Sequence, residues 1–175
     1  MMVLIKTLYL FLPSYGANMA PVFASALKLP FGQPISQRFF GGHKTWRGFI
    51  AGFMMALIFL YIQKLLFIQD SILISKISIL KYDDISIFLY AFILGTGAIT
   101  GDLIKSFFKR RLHKKPGSLW FPFDQIDFII GAIVFLYPFY KIGINNVLIL
   151  LTITPALHLL ANTLGYIVGL KRVWW

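Results

Sequence analysis

Residues 49–68, FIAGFMMALIFLYIQKLLFI, run through twenty positions with a single charge, Lys64. Four further stretches are built alike, at residues 3–27, 85–104, 126–144 and 147–168. About 20 mostly apolar residues in one helix cross a hydrocarbon core of about 30 Å. Pro13 and the run Gly16-Ala17-Asn18 interrupt the first stretch, Pro138 the fourth and Pro155 the fifth. The first stretch lacks a cleavable-signal layout and carries the polar Asn18, so it reads as a retained helix. The expectation is all-α: a polytopic membrane helix bundle of about five transmembrane helices, forming one domain over residues 1–175.

Composition excludes the main alternatives. Of 175 residues, 58% are hydrophobic, and the mean hydropathy is +0.78. A soluble globule of this size could not cover that much apolar surface. The chain has no cysteine, which removes a disulfide scaffold and thiolate metal chemistry.

Charge orients the bundle. Lys and Arg number 17 against six acids, a formal +11, and all six acids are aspartates. Twelve of the cations fall within residues 28–47, 105–115 and 171–172, whereas Lys6, Lys64, Lys76, Lys81 and Lys141 lie on the other side. By the positive-inside rule the first group is cytoplasmic, with the N-terminus outside and the C-terminus inside. Such a balance suits anionic membrane lipids or a polyphosphate ligand. Nucleic acid is the weaker reading, because no long polar domain presents a basic surface.

Three polar segments share that cytoplasmic side. Gly41-Gly42-His43-Lys44-Thr45-Trp46-Arg47-Gly48 is a basic turn opening the second stretch; taken alone it reads either as positive-inside anchors with Trp46 at the interface or as a phosphate cradle of backbone N–H groups with Lys and Arg. In the second segment, helical spacing puts Asp102, Lys105, Ser106 and Lys109 on one face. Asp102 is either salt-bridged to Lys105 or Lys109, or a metal ligand beside phosphate-binding cations. The small residues Gly95, Gly97, Ala98 and Gly101 allow another helix to approach closely. In the third, Pro122 fits the first turn of a helix that carries Asp124 and Asp127 at i and i+3. The two carboxylates could complement the helix dipole at its N-terminus, but one would serve for that, and two repel unless a cation sits between them. With no Cys and no paired His, all-oxygen ligation of Mg²⁺ is the metal chemistry supported, at a site built for Mg²⁺–polyphosphate.

Other polar residues read as structural. His158 lies four residues before Asn162 on one helix face, as a packed hydrogen-bond partner. His113 belongs to a solvated basic loop, and Asp83-Asp84 reads as the N-terminal cap of the third helix.

Together, Lys44-Thr45-Trp46-Arg47-Gly48, Gly101-Asp102 leading into Ser106-Phe107-Phe108-Lys109-Arg110-Arg111, and Pro122 with Asp124-Gln125-Ile126-Asp127-Phe128 resemble the CDP-archaeol synthase family. That family is related to the bacterial phosphatidate cytidylyltransferases. Gly16-Ala17-Asn18 is similar to its glycine-alanine-asparagine segment. The resemblance implies transfer of CMP from CTP to a lipid phosphate with Mg²⁺, releasing pyrophosphate. It implies metal-holding, catalytic roles for Asp102, Asp124 and Asp127. It implies that Asn18, Lys44, Thr45, Arg47, Ser106, Lys109, Arg110 and Arg111 bind CTP or the lipid phosphate. The loop 34–43 departs from the pattern: Ser36 and Gly42 or His43 stand where relatives often carry aspartate.

The residues themselves suit that chemistry. A lipid phosphomonoester, with a second pKa of about 6, is its own nucleophile at neutral pH and needs no strong base. Two alternatives stand beside it: a CTP-dependent lipid kinase, and a non-enzymatic small transporter or lipid-binding protein.

Overall fold

A computed structural model describes residues 1–69, 72–114, 118–171 and 173. Lys115 and Arg172 of the basic set, together with Asp70, Pro116 and Gly117, lie outside them. The described residues form seven helices: α1 (Met2–Ala26), α2 (Gln37–Phe40), α3 (Trp46–Ile68), α4 (Ile72–Ile77), α5 (Ile87–Arg111), α6 (Phe123–Leu136) and α7 (Ile144–Ile167). The expected all-helical class is what the chain adopts.

Three helices, α3, α5 and α7, are long and apolar enough to cross a membrane. Their outward faces are apolar: Ile50, Met54, Ile58, Tyr61 and Leu65 form an exposed stripe along α3, at the spacing of one helical face. The interior is an apolar core around Phe11, Leu60, Leu94 and Phe128 that also takes in polar side chains, with Thr7, Ser14, Gln63, Thr96 and Thr154 all buried. An apolar exterior over buried polar groups suits lipid as the solvent, where interhelical hydrogen bonds such as those of Ser14 and Gln63, with close backbone approach, hold helices together. The chain is a membrane protein.

Helix α5 is the centre. Half of its most apolar window is buried, against 22% for α3 and 17% for α7. Glycines permit this. A Cβ at Gly95 would stand 2.8 Å from the Ala56 methyl of α3, and one at Gly97 would stand 2.9 Å from the Gly131 oxygen of α6. The stripe of small residues read from the sequence is therefore a two-sided contact.

Helix α1 is pinned to α3 by the consequences of its prolines. Pro13 has no N–H for the Tyr9 carbonyl one turn back. Gln63 of α3 supplies the missing donor, with its Nε2 2.6 Å from Tyr9 O. Ser14 Oγ donates to Leu94 O of α5 at 3.1 Å, and Tyr15 hydrogen-bonds Thr154 of α7 at 2.6 Å.

Two boundaries differ from expectation. The fourth stretch is helical only over the 14 residues of α6, because Pro138 cannot donate and the chain turns, with Phe139 and Tyr140 N–H both bonding Leu136 O at 2.9 Å. The cap of α5 is Ser86, whose side chain accepts from Leu89 N at 3.3 Å. Asp83 and Asp84 lie in the preceding turn, where Asp84 N bonds Lys81 O at 3.1 Å. A hydroxyl one residue before the helix reaches the orphan N–H groups; carboxylates three and four residues before it do not.

Candidate active site

The site forms where α5 and α6 come closest. A Cβ at Gly101 would lie 2.2 Å from Asp127 O, so the start of α6 lies directly on α5. Asp102 and Asp127 thereby share one space, and Asp124 joins them one turn earlier on α6. At its centre is the ammonium of Lys105. Its Nζ is 3.2 Å from Asp102 Oδ1, 3.0 Å from Asp124 Oδ1 and 3.0 Å from Asp127 Oδ2. The ammonium thus forms an ion pair with each of the three carboxylates.

Two more lysines close the cluster. Lys44, from the turn before α3, pairs with Asp102 Oδ2. Lys109, one turn beyond Lys105, reaches both oxygens of Asp124 at 2.9 Å and donates to Ser118 O. Asp124 also accepts from Trp120 N at 2.6 Å, which holds the entry to α6. Three aspartates thus meet three lysines, with the Asp127 side chain only 5% exposed.

The remaining candidates take distinct places. Ser106 bonds its hydroxyl back to Asp102 O at 2.8 Å. Thr45 caps α3, accepting from Gly48 N at 3.2 Å. Arg47 braces the α1–α3 connection by donating to Leu29 O at 2.9 Å and to Ser25 Oγ at 3.3 Å. Arg110 lies against Gly41, and the exposed Arg111 stacks on the Phe107 ring at 5.1 Å. Asn18 lines a cleft between α1 and α7 with Tyr15, Phe128, His158, Asn162 and Lys171.

In that cleft His158 hydrogen-bonds Asn162 at 3.3 Å, the packed pair expected from their spacing. Asn162 also accepts from Lys171, a contact that sequence reasoning missed. Lys171 returns because the chain turns at Gly169 (φ 76), where Leu170 N and Lys171 N both bond Gly165 O. Burial pushes the Lys171 amine below the usual lysine range, with Asp102 opposing the shift.

Beside the lysine-filled focus runs an apolar groove of about 440 Å³ between α5 and α6. Ile104, Phe108, Phe123, Ile126, Ile130 and Val134 line it, with Lys105 and Asp127 also on its wall. A cluster of charge opening onto a greasy groove suits a ligand that is anionic at one end and apolar at the other.

Known proteins share this arrangement of the chain. The family profile described as CarS-like, CDP-archaeol synthase, matches residues 1–175. The chain belongs to the CDP-archaeol synthase family. It is therefore an enzyme of the cytidylyltransferase type. A CDP-archaeol synthase of Pyrococcus furiosus is 35% identical over 176 residues, covering 98% of both chains. One from Pyrococcus abyssi is 38% identical over 168 residues, covering 94% of both. One from Methanococcus maripaludis is 33% identical over 178 residues, covering all of this chain and 98% of the relative. A solved structure described as an intramembrane enzyme for archaeal membrane lipid biosynthesis superposes with a TM-score of 0.67 at 26% identity, covering 89% of this chain and 91% of that one.

The family resemblance brings a divalent metal with it, and the donor set fits one in chemistry: three carboxylates offer hard oxygen ligands. The spacing shown is that of a lysine site. Contacts of 3.0–3.2 Å around Lys105 are wider than the roughly 2.1 Å of magnesium–oxygen bonds. Among the described residues no group of three acidic or imidazole side chains is drawn together tightly enough to hold an ion as it stands.

Proposed function

We propose that this chain transfers the cytidylyl group of CTP to the phosphate of a membrane lipid, giving CDP-lipid and pyrophosphate. The observation that carries the reading is the junction of the Asp102–Asp124–Asp127 and lysine cluster with the α5–α6 groove. The groove accepts isoprenoid or acyl tails, and the lipid phosphate sits at its charged mouth. The names of the relatives favour an archaeol-type lipid phosphate.

A lipid phosphate oxygen attacks the α-phosphorus of CTP, and the bond from that phosphorus to the β-phosphate bridging oxygen breaks. The dianionic lipid phosphate carries no proton that a base must remove. Lys44, Lys105, Lys109, Arg110 and Arg111 then hold the two phosphates in line and offset the charge on departing pyrophosphate. Asp102, Asp124 and Asp127 are the residues to hold Mg²⁺, which supplies Lewis-acid neutralisation of the triphosphate when bound. Asn18 contributes to substrate binding from the α1–α7 cleft. Thr45, Ser106 and Arg47 act by shaping the turn and helix that carry Lys44 and Asp102.

The site belongs to the cytoplasmic side, where CTP is found, and twelve of 17 cations support that orientation. The N-terminus is then outside and the C-terminus inside, with five crossings by α1, α3, α5, α6 and α7. Helix α6 spans only about 21 Å, yet it starts inside the bundle: its first turn contacts Lys105, six residues before α5 ends. A single catalytic domain covers residues 1–175.

The test is product analysis with purified protein, Mg²⁺, labelled CTP and a panel of lipid phosphates. Label from the α-phosphate is expected in the lipid, with release of pyrophosphate. Label appearing only from the γ-phosphate, or binding without turnover, would overturn the reading.

A further inference from the structure

Lys105 holds a place that a metal would also want. Its ammonium is the common neighbour of three carboxylates on two helices, at 3.0–3.2 Å from one oxygen of each. Its side chain is only 14% exposed. Without it, three carboxylates around one point would repel, and burial would sharpen the repulsion. With it, the charges of Asp102, Asp124 and Asp127 are matched by Lys44, Lys105 and Lys109. Two cations cannot share the focus. A divalent ion that enters must move the ammonium out, and Lys105 also forms part of the wall of the apolar groove.

We propose that Lys105 is an internal counter-ion that competes with a divalent cation for the Asp102–Asp124–Asp127 focus, so that ion binding releases its amine to the mouth of the groove. The inference rests on the reading of these aspartates as ligands in cytidylyl transfer. It assigns Lys105 two successive partners: carboxylates while the site holds no ion, and an anionic lipid headgroup once it does. Ion loading and capture of the lipid phosphate are then coupled through one side chain, a coupling that each ligand must feel equally.

A purely structural lysine and an exchanging one respond in opposite directions to its removal. The first experiment titrates Mn²⁺ into detergent-solubilised wild type and Lys105→Met without nucleotide. Affinity in the variant should tighten by about tenfold or more, within the usual range for two ligands coupled at linked sites. Unchanged or weaker Mn²⁺ binding in a folded variant overturns the exchange. The second experiment needs no variant. Wild-type protein is treated with an amine-acetylating reagent, with and without Mg²⁺, and modification of Lys105 is read by mass spectrometry. Lys105 should be several-fold more reactive with Mg²⁺ present; equal or lower reactivity overturns the proposal. CTP turnover with and without Mg²⁺, measured alongside, separates the two ideas. Turnover independent of divalent ions removes the ligand reading itself. Ion-dependent turnover with Lys105 reactivity unmoved removes only the exchange.

Discussion

A Cβ atom at Gly101 would stand 2.2 Å from the carbonyl oxygen of Asp127. No side-chain rearrangement relieves that contact, because the obstructing atom belongs to the backbone of α6. Adjacent to it, Asp102 and Asp127 reach Lys105 from opposite helices at 3.2 and 3.0 Å. Gly101→Ala should therefore push α6 away and spoil the convergence of the carboxylates. A stability loss of about 1–3 kcal/mol is expected, the usual cost of overpacking, with turnover of CTP falling further than stability does. Thermal unfolding in detergent and labelled-CTP turnover read the two effects. Gly42→Ala, where an added Cβ meets nothing within 4 Å, should melt like wild type. A Gly101→Ala protein with normal turnover would show that the α5–α6 contact does not set the site.

Asp127 and Asp124 differ in what else they hold. Asp124 also accepts from Trp120 N at 2.6 Å and from Lys109 at 2.9 Å, so it organises the chain entering α6. Both Asp124→Asn and Asp127→Asn should abolish CTP turnover, by at least about 100-fold on the scale of lost preorganised electrostatics. Only Asp124→Asn should also loosen residues 118–122, seen as faster proteolysis or amide exchange there. Full activity in either variant would remove that residue from the site.

Gln63 and Pro13 form a pair across helices. The Tyr9 carbonyl is left without an intrahelical donor by Pro13, and Gln63 Nε2 meets it at 2.6 Å. Gln63→Leu should cost about 1 kcal/mol, the scale of interhelical hydrogen bonds in membrane proteins. In a Pro13→Ala background, the backbone N–H restored at that position can serve Tyr9 O, and the cost of Gln63→Leu should largely vanish. A double-mutant cycle on thermal stability reads this coupling. Additive effects would mean that the proline and the glutamine act independently.

Much of this fold was legible because lipid constrains sequence so strongly. Long apolar runs at 49–68 and 147–168 became α3 and α7, and the small residues Gly97 and Gly101 became the α6 contact. The three aspartates that converge on Lys105 also stood out, since two acids at the mouth of an apolar helix need a cation between them. Which cation was not legible. Lys105 reaches Asp124 and Asp127 through a crossing of two helices, and spacing along α5 reports only the Asp102 neighbour. Lys44 similarly meets Asp102 across 58 residues of chain. The cap of α5 was misplaced for a local reason: Asp83-Asp84 is the stronger acidic signal, while Ser86 sits at the position whose side chain meets Leu89 N. Lys171 was legible only as a cytoplasmic cation, because its contact with Asn162 depends on the turn at Gly169.

Lys44 and Arg47 stand three residues apart in one basic motif, yet they face different partners. Lys44 pairs with Asp102 inside the charge cluster. Arg47 donates to Leu29 O and Ser25 Oγ, tying the end of α1 to the start of α3. Lys44→Ala should therefore raise KM for CTP by about tenfold, the order of one lost charge-assisted contact to phosphate, with little change in melting temperature. Arg47→Ala should lower the melting temperature by several degrees, in line with about 1–2 kcal/mol for two hydrogen bonds from a charged donor, with KM for CTP nearly unchanged. Lysine at position 47 should restore little, because a point charge cannot reproduce the planar fork that spans Leu29 and Ser25. The reverse pattern, a nucleotide defect at Arg47 and a stability defect at Lys44, would place the phosphate grip on the α1–α3 connection rather than at the α5–α6 junction.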